Sequence, residues 1–423
     1  MKHTAASLLL FLLCAASLPA QDAYRALFIG NSYTYANDLP GLIRDLTLSG
    51  GDTLAHESSA PGGYTFQGHS TNATTLNYLA MPGWDYVILQ EQSQRPSFPQ
   101  GQVQQQVYPY ASILDSLAHV SSPCAQTVFY MTWGRKYGDS QNCQNWPPVC
   151  TFEGMQVELR RSYLNMAQQN GAIVAPVGIA WWEAIRRDST IELYVSDGSH
   201  PSLEGSYLAA CVFYAAMYRS SPVGLSFRAG LDSVKATFYQ DVAADIVFDS
   251  LTTWRIGLND PQAAFSTSLN NATATFTDAS LNATSWTWDF GDGSAPSSAQ
   301  NPVHTYPASG TYTVTLTVGD GCSTSVLTQA VQVVIVGLPD AFAGLQLTPN
   351  PSTGLVQLKG TWPSSEPLTW TLRDLQGRTL RIGSLPATQS VDHALDFSAV
   401  TAGTYLLELS SATHAHTMRL LLR

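Results

Sequence analysis

Tyr24-Arg25-Ala26-Leu27-Phe28-Ile29-Gly30-Asn31-Ser32-Tyr33-Thr34 is the stretch from which the fold can be read. A short apolar run that stops at a glycine and turns at once into polar, helix-starting residues is the pattern of a buried strand feeding a helix. The same grammar recurs downstream. Apolar runs at 86–90, 127–132 and 172–177 alternate with amphipathic segments at 104–119, 153–169 and 203–218. Strands alternating with helices of that length predict an α/β domain, a parallel sheet covered on both faces. In such sheets ligands bind beyond the carboxyl ends of the strands. The search for chemistry therefore starts at the residues just after each run.

Ser32 lies at one of those positions, between the first run and a helix. A hydroxyl there is exposed beside backbone amides able to hold an oxyanion, although a lone serine in such a turn more often caps the helix, as Ser32 or Thr34 would. A serine needs a base to take its proton, and an imidazole needs a carboxylate to hold its tautomer. Ser196-Asp197-Gly198-Ser199-His200-Pro201-Ser202 precedes the last amphipathic segment of this region and supplies both. Within the α/β region His56, His69, His119 and His200 are the available imidazoles, and His200 alone has an aspartate just upstream in a loop. Asp197 as a plain turn residue is the alternative.

These blocks, in this order, resemble the SGNH/GDSL hydrolases over about residues 24–218. The resemblance implies a flavodoxin-like three-layer α/β fold with Ser32 as nucleophile, His200 as base and Asp197 as its partner. The first block is Gly30-Asn31-Ser32, with Asn where the family name has Asp; the last block, Asp197-Gly198-Ser199-His200, is intact. The family's second block contributes a glycine amide to the oxyanion hole, which falls here to Gly62 or Gly63 in Pro61-Gly62-Gly63-Tyr64. The third block carries an Asn side-chain amide, but this chain has Ile88-Leu89-Gln90-Glu91-Gln92-Ser93-Gln94. A glutamine offers the same amide on a longer stem. Gln92 is favoured over Gln90 as that donor. Trp133 and Arg135 follow the fourth strand and are candidate substrate contacts; Trp181 and Trp182 after the fifth fit that role and a buried core equally.

The rest of the chain is written differently. The helical period vanishes after about residue 258, and Thr311-Tyr312-Thr313-Val314-Thr315-Leu316-Thr317-Val318 alternates as a strand does. Trp286-Thr287-Trp288-Asp289-Phe290-Gly291-Asp292-Gly293 resembles the signature turn of the PKD domain, a small β-sandwich. Its residues read as structural, with tight Asp-Gly corners and core tryptophans. From about residue 341, Leu347-Thr348-Pro349-Asn350-Pro351-Ser352-Thr353-Gly354, Asp374-Leu375-Gln376-Gly377-Arg378 and Gly403-Thr404-Tyr405-Leu406-Leu407 resemble the C-terminal sorting domain of the type IX secretion system. That resemblance implies a second all-β sandwich, passage across an outer membrane by that machinery, and release of the domain. The expected organisation is a signal peptide at 1–20, the hydrolase domain at 21–257, the PKD-like sandwich at 258–337 and the sorting domain at 341–423.

Composition bounds the function. Lys2 and His3 before an apolar run, with Leu18-Pro19-Ala20 after it, read as an export signal. The chain carries a net charge of −11 over 423 residues, which disfavours nucleic acid and anionic membrane surfaces. No apolar run is long enough for an integral membrane segment. Cys143 and Cys150 flank Trp146-Pro147-Pro148 and are expected to pair in an oxidising compartment, with Cys124 as a third candidate and Cys211 a buried thiol. No Cys or His spacing suggests zinc, so neither metal nor cofactor is expected. The combined expectation is a secreted esterase cleaving small acyl, above all acetyl, esters on carbohydrate. A non-catalytic glycan-binding adhesin on the same scaffold and a lipase-type esterase are the competing readings.

Overall fold

The computed structural model describes residues 22–335, 344–362, 366–386, 390–412 and 414–423. The expected signal peptide and the expected 337/341 boundary lie outside these residues.

The first strand, β1 (Ala23–Ile29), is buried over its last four residues, each fully shielded from solvent. It is followed by α1 (Ser32–Tyr35), α2 (Leu39–Ser49), β2 (Thr53–Ser59), α3 (Phe66–His69), α4 (Ala73–Leu79) and β3 (Tyr86–Leu89). Then come α5 (Gln100–Gln106), α6 (Tyr108–Ser121), β4 (Gln126–Tyr130), α7 (Phe152–Gln169), β5 (Ile173–Ala175), α8 (Val177–Arg187), α9 (Leu203–Tyr218) and α10 (Ser233–Phe248). The five strands form one sheet in the order β2-β1-β3-β4-β5, every neighbouring pair parallel. This is the flavodoxin-like order of the doubly wound folds. Helices α4, α6 and α7 pack in succession along the sheet, while α2, α9 and α10 pack together. Their residues are inaccessible along β3 and along nearly all of α9, which explains why both read as continuous apolar runs.

The helix expected over 104–119 is two helices. Pro109 stands in the first turn of α6, where its missing N–H costs nothing, and Val107 adopts a non-helical conformation between α5 and α6. The topology places the switch in strand order between β1 and β3, because the chain passes from β1 to β2 on one side and β3 returns on the other. The loops after β1 and β3 therefore open the crevice where ligands bind in such sheets. Ser32 follows β1 there, and Gln90 and Gln92 follow β3.

Beyond α10 the described chain is all β, with short antiparallel sheets. Strand Gly310–Gly319 pairs with Ser285–Asp289, and its alternate residues Val314, Leu316 and Val318 are buried. At the Trp-Asp-Phe-Gly-Asp-Gly turn, Trp288 is fully buried and Asp289 accepts a hydrogen bond from the Gly291 amide at 2.9 Å. Gly291 and Gly293 both have positive φ, 75° and 81°, a region that favours glycine. Further on, a sheet of Gln346–Thr348, Leu355–Thr361 and Ser390–Asp396 and a second in the order Thr379–Leu385, Leu368–Arg373, Gly403–Ser410, Ala415–Leu422 share a core that includes Val356, Leu358, Leu407 and Leu420.

Compactness divides the chain into two units. One runs to Ser266 and includes Thr277–Pro302 and Val314–Gln329; the other comprises Thr267–Phe276, Val303–Thr313 and Ala330–Arg423. Within the first unit, a disulfide joins Cys124, after α6, to Cys322 in the turn following Gly310–Gly319. Asn282 ties the same region to the end of the α/β part by donating to the carbonyls of Leu258 and Asp260. The second disulfide is Cys143–Cys150, as expected, and Cys211 is a free buried thiol. Cys124, a third candidate for the same loop, instead pairs 198 residues away.

Candidate active site

The turn that carries Ser32 is built by side-chain capping. Asn31 caps α1, its side-chain oxygen accepting from the Tyr33 amide at 3.2 Å, while its side-chain nitrogen donates to the Tyr64 carbonyl at 3.0 Å. One side chain thus ties the loop after β1 to the loop carrying Gly62 and Gly63. Gln90 enters from β3: its oxygen accepts from the Asn31 amide at 2.8 Å and from the Thr34 hydroxyl at 3.0 Å. Gly30 is needed where these groups converge. A Cβ on it would stand 2.6 Å from the Gln90 oxygen and closer still to the Thr34 hydroxyl. His69 braces the same turn from α3, with Nε2 donating to the Gly30 carbonyl at 2.7 Å and Nδ1 meeting the Thr75 hydroxyl at 2.8 Å. Burial lowers the affinity of the His69 ring for a second proton.

Ser32 and the distant 195–201 turn meet above this base. The Ser32 hydroxyl lies 2.8 Å from His200 Nε2, and His200 Nδ1 lies 2.6 Å from Asp197 Oδ2. The other oxygen of Asp197 accepts from the amides of Ser199 (2.8 Å) and His200 (2.9 Å). Gly198, at φ 65°, supplies the left-handed turn that brings aspartate and histidine together. Partial burial pushes the Asp197 carboxyl up, but the hydrogen bonds from His200 and the two amides outweigh it and hold the group below its usual value. A charged carboxylate on Nδ1 accepts only, so that nitrogen carries the proton and Nε2 presents its lone pair to Ser32.

Beneath the site is an aromatic column. Trp133 stacks on Trp181 at 3.8 Å and on Tyr33 at 4.7 Å, both nearly parallel. Trp133 is fully buried and donates from Nε1 to the Ser199 carbonyl. Both its faces are covered, so it offers none to a substrate and instead supports the turn bearing His200. Trp181 is equally buried, Trp182 only partly. Tyr33 adds to the support, its hydroxyl 2.6 Å from the Ser199 hydroxyl and its ring edge-on to His200. Arg135 is partly exposed and lies 3.5 Å from the buried Asp139.

The remaining expected residues are distributed unevenly. Gly62 and Gly63 are exposed, and a Cβ at Gly62 would be 3.6 Å from the Tyr35 hydroxyl at the end of α1. Gln90 is wholly buried, with its nitrogen donating to the Glu91 carbonyl. Its oxygen holds the turn that carries Ser32, and its nitrogen is engaged within its own loop. Gln92 is half-buried, its oxygen accepting from the amides of Gln94 and Arg95. The bracing by Asn31, Gln90 and His69 leaves no mark in the sequence, since each acts on backbone atoms of a residue far along the chain. Among the described residues, no group of three or more His, Cys, Asp or Glu side chains is arranged to hold a metal ion, and no helix is long and apolar enough to cross a membrane.

Residues 258–335 match the PKD domain model, and residues 346–423 match the secretion system C-terminal sorting domain model. No curated protein matches the chain. Among solved structures, a DUF4886 family protein from Bacteroides uniformis is 18% identical, covering 54% of this chain and 95% of its own, with a TM-score of 0.47. A candidate SGNH hydrolase from Slackia heliotrinireducens is 29% identical, covering 46% and 100%, with a TM-score of 0.39. The PKD1 domain of a Vibrio anguillarum protein, Epp, is 32% identical, covering 18% and 96%, with a TM-score of 0.18. The chain thus carries a PKD domain at residues 258–335 and, at 346–423, a sorting domain that marks it for secretion, both behind a parallel-sheet α/β domain.

Proposed function

We propose that the protein is a secreted serine esterase that cleaves small acyl esters, above all acetyl esters on carbohydrate. The observation that carries this reading is the continuous line from Ser32 through His200 to Asp197, at 2.8 Å and 2.6 Å. A hydroxyl–imidazole contact across 168 residues, completed by an imidazole–carboxylate contact within one turn, is what nucleophilic catalysis by an alcohol requires.

In the reaction, His200 takes the Ser32 proton through Nε2 as the hydroxyl oxygen attacks the ester carbonyl. Asp197 holds Nδ1–H and balances the charge on the imidazolium. The oxyanion is held by the Ser32 amide, the amide of Gly62 or Gly63, and the Gln92 side chain. Gln90 acts differently, positioning the nucleophile through the Asn31 amide. His200 then protonates the departing alcohol, and water, deprotonated by the same imidazole, resolves the acyl-enzyme to free acid and Ser32. No step calls for a cofactor. The sorting domain directs the chain to type IX secretion machinery, so the enzyme meets its substrate outside the cell.

The test is turnover of 4-nitrophenyl acetate together with labelling by a fluorophosphonate. Wild-type protein labels and hydrolyses the ester; Ser32→Ala does neither, and its rate falls by a factor on the order of 10⁴ or more. Equal turnover by the two proteins overturns the assignment. Wild-type protein that neither labels nor turns over favours a glycan-binding adhesin.

A further inference from the structure

We infer that the sugar portion of the substrate is a neutral oligosaccharide chain lying in a trench that starts at the Asp197–His200 turn, with Tyr137 as its first stacking platform. The inference rests on the esterase reading and adds the length and chemistry of the alcohol half of the ester.

Three cavities run together on this side of the α/β domain. The first, about 260 Å³, is bounded by Gly198 and Ser196 of the catalytic turn and by Tyr137. It shares Lys136, Tyr137, Glu192 and Tyr194 with a second of about 330 Å³. The second shares Thr190, Ile191 and Glu192 with a third of about 360 Å³, which ends against Phe238 on α10. Each is near the lower end of the roughly 300–1,000 Å³ usual for small-ligand sites. A chain of three such spaces exceeds what an acetyl group and one sugar occupy.

Position identifies which half of the ester belongs there. His200 must protonate the departing alcohol, so the alcohol lies on the imidazole side of the nucleophile. The trench opens beside the turn that carries this imidazole. Tyr137 stands at its mouth with 78% of its surface exposed. The open ring, with the Lys136 ammonium 5.7 Å from its centroid, has a face that suits the C–H face of a pyranose. Gly198 has no side chain to occupy the approach; a Cβ there would be 3.5 Å from the Tyr137 ring.

Charge selects the chemistry of the chain. The two cations lining the trench are each neutralised, Lys136 by Glu192 and Lys235 by Glu204. The unmatched charge is two carboxylates, Glu153 and Asp188. A polyanion would be repelled, whereas hydroxyl groups can donate to carboxylates and accept from the lysines. A long acyl chain would have to strip water from the Lys136–Glu192 pair at the junction of the first two cavities, without a replacement partner. A neutral polyhydroxylated polymer meets all three conditions.

The experiment uses the full chain and acetylated mono-, tri- and hexasaccharides of β-1,4-xylan, β-1,4-glucan and β-1,4-mannan. The readout is kcat/KM for the hexamer divided by that for the monosaccharide. The expected ratio is tenfold or greater for at least one of the three polymers. Tyr137→Ala, and Thr190→Trp placed to obstruct the second and third cavities, should each bring that ratio down by at least fivefold. A ratio near one for all three polymers overturns the inference while 4-nitrophenyl acetate turnover leaves the esterase reading standing. So does a ratio that neither variant changes. If the wild type has no esterase activity, binding of the unacetylated hexamers by calorimetry decides the trench by itself: loss of heat in Thr190→Trp supports it, and no binding of any hexamer overturns it.

Discussion

Glu91 follows Gln90 at the carboxyl end of β3 and is completely buried, yet it takes no part in the proposed reaction. Its carboxyl accepts from the Gln92 amide at 2.6 Å and from the Phe66 amide at 3.1 Å, joining the third-strand loop to α3. Burial raises its pKa from 4.5 to about 7, and the two amides and nearby Arg95 offset only part of that rise. Between these values the unfolded chain has released the proton while the native chain retains it. Native protein therefore binds more protons there, and stability falls as pH rises. The contribution is fully present below about pH 4.5 and is lost as pH passes through 7. A displacement of that size corresponds to about 3 kcal/mol, at about 1.4 kcal/mol per pH unit.

Glu91→Gln keeps the shape and the acceptor oxygen but cannot ionise. At pH 4.5 the variant and the wild type should unfold at nearly the same urea concentration. At pH 8 the variant should be more stable by about 3 kcal/mol. Urea titrations at half-unit pH intervals, followed by tryptophan fluorescence, measure the difference between the proteins. Taking that difference cancels the titration of every other group and the unfolding of the β domains. A difference that does not vary between pH 4.5 and 8, or a variant that weakens as pH rises, would refute the reasoning.

Two further outcomes follow from the same packing. Gly30→Ala drives a methyl group into the Gln90 oxygen and the Thr34 hydroxyl, so it should cost about 1–3 kcal/mol in thermal unfolding and lower kcat by tenfold or more; wild-type kcat in a folded variant would show that this convergence does not position Ser32. Proteolytic cleavage between residues 257 and 262 should leave two fragments joined through Cys124–Cys322 on a non-reducing denaturing gel and separate on a reducing one. Cys322→Ser should separate them under both conditions, and joined fragments in that variant would refute the pairing.

The runs at 24–30 and 86–90 are legible because a strand buried on both faces of a parallel sheet must be apolar throughout. The 53–59 strand lacks such a run: Thr-Leu-Ala-His-Glu-Ser-Ser is an edge strand, with only Leu54 and Ser59 buried. Ser32, Asp197 and His200 are legible as candidates because a nucleophile, its base and that base's carboxylate partner must be particular residue types at loop positions. Trp133, a candidate substrate contact by its position after a strand, is buried between Tyr33 and Trp181. A tryptophan after a strand serves equally as a platform or a pillar, and only packing separates them.

Local pattern alone thus determined the α/β character, the β-rich C-terminal half and the residue types of the catalytic candidates, since these depend on periodicity and side-chain chemistry within short windows. Tertiary structure decided everything that depends on distance between remote segments. It brought His200 to Ser32 across 168 residues, turned Gln90 inward to hold the Asn31 amide, and paired Cys124 with Cys322. The physical reason is that a hydrogen bond or a disulfide requires its atoms to meet within a few ångströms, and sequence separation carries no information about that distance once the chain has folded.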